Sequence, residues 1–285
     1  MFSRIIGLLC RVRIREANVV EKTQVDYQES GDGPVVVFVP GSFSTPAAWR
    51  PVMKLLPPGY RMVATALCGY GDTAETRSAA DHDITHEVRV IEEVVARAGG
   101  GPVHLVGHSF GGTVAFAAAL LGNIDLRSIA TFEANPLGLM RHSTRPELFA
   151  ATQDMSRAYE AAHEAGEVDA PRRIIDFWGS DGSFDALPDI VQEYCRQTAY
   201  GNVLDWHSAF GFDTVPQDYA AFDVPVLLVR GALANPVIVA ITDVLGREIK
   251  NVQLKTVDGA GHFLIFSHPA DCAAHLAAFL AGIER

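Results

Sequence analysis

Residues 103–120 read VHLVGHSFGGTVAFAAAL: an apolar run, a Gly-x-Ser-x-Gly corner (Gly107-His108-Ser109-Phe110-Gly111) and a helix of small residues. This stretch constrains the fold more than any other. A serine on a strained turn straight from strand into helix needs neighbours without Cβ atoms two positions away on each side. Such a turn lifts Ser109 above the carboxyl edge of a sheet, where the new helix aims its positive end and free N–H groups at the reacting centre. Ser109 is therefore the candidate nucleophile.

The rest of the chain supplies a sheet for that corner. Strand-like runs recur at 35–40 (VVVFVP), 60–67 (YRMVATAL), 103–107, 128–134 (SIATFEA), 224–231 (VPVLLVRG) and 252–259 (VQLKTVDG). Helical stretches separate them: Ile84, Val88, Ile91 and Val95 share one face of a helix that stops at Gly99-Gly100, and a last helix runs from about Pro269 to Ala281. This alternation predicts an α/β fold, a mostly parallel, doubly wound sheet. The segment before the first parallel strand, KTQVDYQESGDG, reads as an antiparallel hairpin arm ending in an Asp32-Gly33 turn. Between 137 and 222 strands give way to helical patterns with aromatic faces, which predicts an inserted helical cap. The expected division is a core of 1–136 and 223–285, with 1–16 as an N-terminal extension, and a cap of 137–222.

Composition narrows the partners. A formal net charge of −11 over 285 residues argues against nucleic acid and anionic membrane surfaces and favours a small-molecule substrate. The four cysteines, Cys10, Cys68, Cys195 and Cys272, form no CxxC pair, so neither a disulfide framework nor a zinc site is expected. The N-terminal run Ile5 to Cys10 is too short for a signal peptide and is followed by Arg11, Arg13 and Arg15. The expectation is a cytoplasmic protein, monomer or homodimer, with no metal and no cofactor, since phosphate-cradling glycine loops and metal-ligand spacings are missing from the sequence.

From Val35 to Phe279 the chain resembles the α/β-hydrolase fold superfamily. FVPGSFSTPAAW (38–49) looks like the loop after that family's third strand, with Pro40-Gly41 where many members carry His-Gly. The resemblance implies an oxyanion hole made by the backbone N–H groups of Ser42 and Phe110. ALCGYGDT (66–73) stands in place of the family's Gly-x-Gly loop, with Ala66 where an aspartate is usual. VDGAGHFLIFSHP (257–269) matches the Gly-His ending that follows the last strand, which makes His262 the base that takes the Ser109 proton and returns it to the leaving group.

The acid departs from the common pattern. Most members carry an aspartate after the strand that here reads VPVLLVRG, but Ala232, Leu233, Ala234, Asn235 and Pro236 follow it. Glu133, at the end of ATFEANP, lies one strand nearer Ser109 and is the candidate third member, with Asn235, Asp258 and Asp213 as alternatives. Some family members, lactone-opening enzymes among them, place the acid after the family's sixth strand in this way.

Serine at the elbow argues against haloalkane dehalogenase and epoxide hydrolase chemistry, which in this fold uses a carboxylate nucleophile. Acyl transfer to water is the expected reaction: hydrolysis of a carboxylic ester or lactone through an acyl-enzyme on Ser109, with carbon–carbon bond or thioester hydrolysis as the alternative. A small-molecule receptor on the same fold is the reading from a different class, and multiple turnover separates it from an enzyme. Phe43, Trp178 and Trp206 are the candidate walls of a largely apolar substrate pocket.

Overall fold

The structure, a computed structural model, describes residues 24–284; the proposed N-terminal extension and Cys10 lie outside them. Seven strands form one sheet: β1 (Tyr27–Ser30), β2 (Val35–Val39), β3 (Arg61–Thr65), β4 (Val103–His108), β5 (Leu126–Phe132), β6 (Val226–Gly231) and β7 (Val252–Val257). Their spatial order is β1-β3-β2-β4-β5-β6-β7. All pairings are parallel except β1 with β3, where Tyr27 faces Thr65.

That exception corrects the hairpin expectation. The β1 segment is antiparallel as expected, but it pairs with β3 at the sheet edge and not with β2, its neighbour in sequence. The flanks of β2 are already taken by β3 and β4, so β1 crosses to the open edge of β3.

The central strands read as unbroken apolar runs because both faces of the sheet are covered. Val37, Leu105, Ile129 and Leu228 point to one side, against the helices Thr85–Arg97, Phe110–Leu121 and Pro236–Glu248. Val36, Phe38, Val106, Ala130 and Leu227 point to the other, against Trp49, Val52 and the helix Pro269–Ile283. The stripe Ile84, Val88, Ile91, Val95 is buried along its whole length.

Between β5 and β6, residues 137–222 contain no strand among the described residues. They form the helices Pro146–Glu164, Arg172–Trp178, Asp189–Gln197 and Ala199–Gly211, with short helical turns at Leu137–His142 and Pro216–Tyr219. Trp178 and Trp206 from this segment pack in the same apolar cluster as Phe43 and Phe110, so the segment lies over the carboxyl edge of the sheet. No described helix is long and apolar enough to cross a membrane.

Candidate active site

Ser109 follows β4 and caps the helix Phe110–Leu121 with φ 53° and ψ −124°. That left-handed conformation is unfavourable for an L-residue and is held by packing that excludes side chains on either side. A Cβ on Gly107 would stand 2.3 Å from Gly111 O, and one on Gly111 would stand 2.2 Å from Pro40 O. Only three non-glycine residues among those described have positive φ: Phe43, Ser109 and Glu133. All three had been singled out from the sequence, and all three lie where a strand of the parallel sheet gives way to the site.

The loop after β7 brings His262 to the serine, with Nε2 2.9 Å from Ser109 Oγ. On the far side of the ring Nδ1 lies 3.2 Å from Glu133 Oε2. The hydroxyl therefore donates to Nε2 while Nδ1–H donates to the carboxylate, the tautomer a general base requires. The other Glu133 oxygen accepts the backbone N–H of Gly231 at 2.7 Å, so the end of β6 aims the carboxylate. Ser109, Glu133 and His262 are all buried.

The alternative acids are occupied elsewhere. Asn235 Oδ1 accepts from Val237 N at 2.9 Å and caps the helix Pro236–Glu248, while its Nδ2 donates to Phe177 O at 2.7 Å. Asp213 pairs with Arg141 at the surface, and Asp258 is exposed.

His108 is the variable residue of the elbow. Its Nε2–H donates to His262 O at 2.9 Å, which fixes the backbone of the base from below. Burial holds the ring's pKa down at about 3, with His262 adding to the effect, so it stays a neutral donor. No local pattern points to this contact, because the partner lies across the sheet edge.

The loop after β2 runs beside Ser109, close enough that a Cβ on Gly41 would touch Ser109 Cβ at 3.0 Å. Among the described residues, the backbone N–H groups of Ser42 and Phe110 have no backbone acceptor. They are free to receive charge developing on a carbonyl oxygen. Ser42 Oγ donates to Asp205 Oδ2 at 2.5 Å, and Tyr70 OH donates to the same oxygen at 2.6 Å.

Asp205 belongs to a buried charged cluster that sequence reading did not find. Arg77 Nη1 stands 2.7 Å from Asp205 Oδ1 and 2.9 Å from Glu87 Oε1, and its Nη2 is 2.8 Å from Glu75. Three carboxylates share one guanidinium, and two of them, Glu87 and Asp205, are buried with it. Burial pushes the Glu87 carboxyl up to about 7 and raises that of Asp205, with Arg77 opposing both shifts. Arg77 and Asp205 are 128 positions apart, and only folding juxtaposes them.

Trp178 stacks on the His262 ring at 5.0 Å and 21°, and Trp206 stacks on Trp178 at 5.9 Å and 13°. Together with Ser42, Phe43, Ser109 and His262 they line a cavity of about 60 Å³. Substrate pockets commonly measure about 300–1,000 Å³, so this space holds the reacting group and little more. The loop after β3 carries Ala66 at the family's aspartate position. Asp26 supplies a carboxylate there from before β1, accepting the Asp72 N–H at 3.2 Å.

Comparison with known proteins agrees with this architecture. The sequence is 26% identical over 275 residues to a non-heme haloperoxidase of Rhodococcus erythropolis, covering 90% of this chain and 96% of that one. It is 23% identical to the monoacylglycerol lipase ABHD6 of Mus musculus, covering 90% of this chain and 78% of the relative. A thermophilic esterase from Thermogutta terrifontis superposes with a TM-score of 0.72 at 19% identity, over 92% of this chain and 95% of the other. The sequence profile of the alpha/beta hydrolase family matches residues 36–275, which takes in the sheet from β2 to β7, the corner at Ser109 and the loop of His262. By the extent of that match and the shared sheet, the chain belongs to the alpha/beta hydrolase family.

Proposed function

We propose that the protein hydrolyses a carboxylic ester or lactone of a small, mostly apolar substrate through an acyl-enzyme on Ser109. The observation that carries this reading is the line from Ser109 Oγ to His262 Nε2 at 2.9 Å and from His262 Nδ1 to Glu133 Oε2 at 3.2 Å. Ser109 Oγ attacks the carbonyl carbon as His262 Nε2 takes its proton, and the N–H groups of Ser42 and Phe110 receive the oxyanion. Glu133 stabilises the imidazolium. His262 returns the proton to the leaving alcohol oxygen; it then deprotonates a water that attacks the acyl carbon, and passes that proton to Ser109 Oγ as the acyl–oxygen bond breaks and the acid leaves. Residues 137–222 act as a cap whose aromatic face covers the reacting group. Similarity to a mouse monoacylglycerol lipase and a Thermogutta esterase supports an ester bond as the target.

The test is intact mass after incubation with a fluorophosphonate, on wild type and Ser109→Ala, followed by steady-state turnover of 4-nitrophenyl esters. A single adduct on wild type alone, with multiple turnovers, is expected. An adduct that persists in Ser109→Ala, or one turnover and no more, would overturn the reading, the second outcome in favour of a receptor.

A further inference from the structure

Asn202, on the helix Ala199–Gly211, lines the cavity shared by Ser109 and His262 and is 1% exposed. Its amide can be oriented by chemistry alone. The Asp205 oxygen that accepts from Ser42 and Tyr70 also lies 3.3 Å from Asn202 Nδ2, and a carboxylate accepts but does not donate, so the NH₂ faces Asp205. That leaves Asn202 Oδ1 buried with no hydrogen-bond partner among the described residues.

A buried carbonyl without a donor is costly to keep, and such orphan groups call for a specific explanation. The neighbouring residues of the helix have evident tasks: Asp205 holds the loop after β2 and Trp206 backs Trp178. Asn202 stands in the same cavity wall as Trp206.

We infer that Asn202 Oδ1 accepts a hydrogen bond from a hydroxyl or N–H that the substrate carries within three bonds of its ester group. The inference rests on the ester reading above and names its substrate class. The limit follows from size: about 60 Å³ is on the order of two water molecules, so a donor that reaches Asn202 inside this cavity sits close to the ester group. Asp205 is the positioning residue, since its charge decides which end of the amide faces it and which is left free.

The donor can sit on either side of the ester, and two isosteric pairs separate the sources. Ethyl 2-hydroxypropanoate against ethyl 2-methylpropanoate reads the acyl side; 2-hydroxyethyl propanoate against propyl propanoate reads the alcohol side. A 2-hydroxyl also activates the carbonyl, so the readout is the change in the kcat/KM ratio of a pair on substitution and not the ratio itself. Asn202→Leu and Asn202→Ala should lower the hydroxyl-to-methyl ratio of one pair about tenfold. Asp205→Asn, which no longer compels Nδ2 to face it, should lower the same ratio by less and serves if the Asn202 variants do not fold. Ser42→Ala should change both members of each pair alike. Ratios that stay within about twofold of wild type for both pairs would overturn the assignment of Asn202 while leaving the ester reading standing. Wild type that cleaves none of the four esters, nor 4-nitrophenyl esters, overturns both.

Discussion

Glu133 Oε2 lies 3.2 Å from His262 Nδ1 although 129 positions separate the two residues. The carboxylate comes from the end of β5, beside the strand that carries the nucleophile, because β6 ends without one. Glu133→Ala should lower kcat by about 10²–10⁴-fold on any ester the wild type cleaves, by removing the partner of the imidazolium. Asn235→Ala should leave kcat near wild type and cost about 1 kcal/mol of stability, because Asn235 caps a helix. Steady-state kinetics and urea unfolding on both variants check the pair, and the reverse ranking in kcat would reject Glu133 as the acid.

Ser109 holds φ 53° for the sake of its position. Glycine adopts that conformation without the Cβ clash, so Ser109→Gly should abolish hydrolysis and stabilise the fold by about 1 kcal/mol, net of the extra entropy glycine loses on folding. Thermal unfolding reads this as a melting temperature about 2–4 °C above wild type. A lower melting temperature would mean that the corner stores no strain.

Trp178 stacks flat on the His262 ring, so its aromatic face should matter beyond its bulk. An indole face near a forming imidazolium is attractive by roughly 0.5–2 kcal/mol, which is about two- to thirtyfold in rate. Trp178→Phe should retain more kcat than Trp178→Leu, with KM changing less than kcat. Equal kcat in the two variants would reduce Trp178 to cap packing.

Glu87 is buried beside Arg77 with its carboxyl pushed up to about 7 from 4.5. A carboxyl raised on folding favours the folded state below its unfolded value and loses that contribution as pH rises through the folded one. Between about pH 4.5 and 8 the wild type should therefore lose stability relative to Glu87→Gln, by about 3 kcal/mol at most. The amide beside Arg77 adds a constant offset that leaves the slope unaffected. Urea unfolding of both proteins across that range measures the difference, and a flat difference would show that Glu87 keeps one charge state throughout.

The parts of this protein legible in the sequence are those set by local sterics. Gly107, Ser109 and Gly111 announce a corner because only that spacing of Cβ-free residues lets strand meet helix there. The apolar runs announce a sheet covered on both faces, and His262 follows the last of them. Glu133 became a candidate only through the resemblance to α/β-hydrolases, some of which place the acid one strand earlier, and residues 232–236 hold no carboxylate. The sequence misled where pairing is a choice among distant partners. Asp32-Gly33 suggested a hairpin, yet β1 takes the open edge of β3. Asn235 stood in line for a triad place, yet its side chain caps a helix.

By itself, then, the sequence determined the alternation of strands and helices and the strand-to-helix corner at Ser109, because each depends on neighbours within a few positions. Only the tertiary structure decided the buried cluster of Arg77, Glu87 and Asp205, the His108 support under His262, the Trp178 face on the imidazole and the unpaired carbonyl of Asn202. Those rest on burial, which sets the strength of every charge and hydrogen bond in the site, and burial exists only once the helices of 137–222 have closed over the sheet.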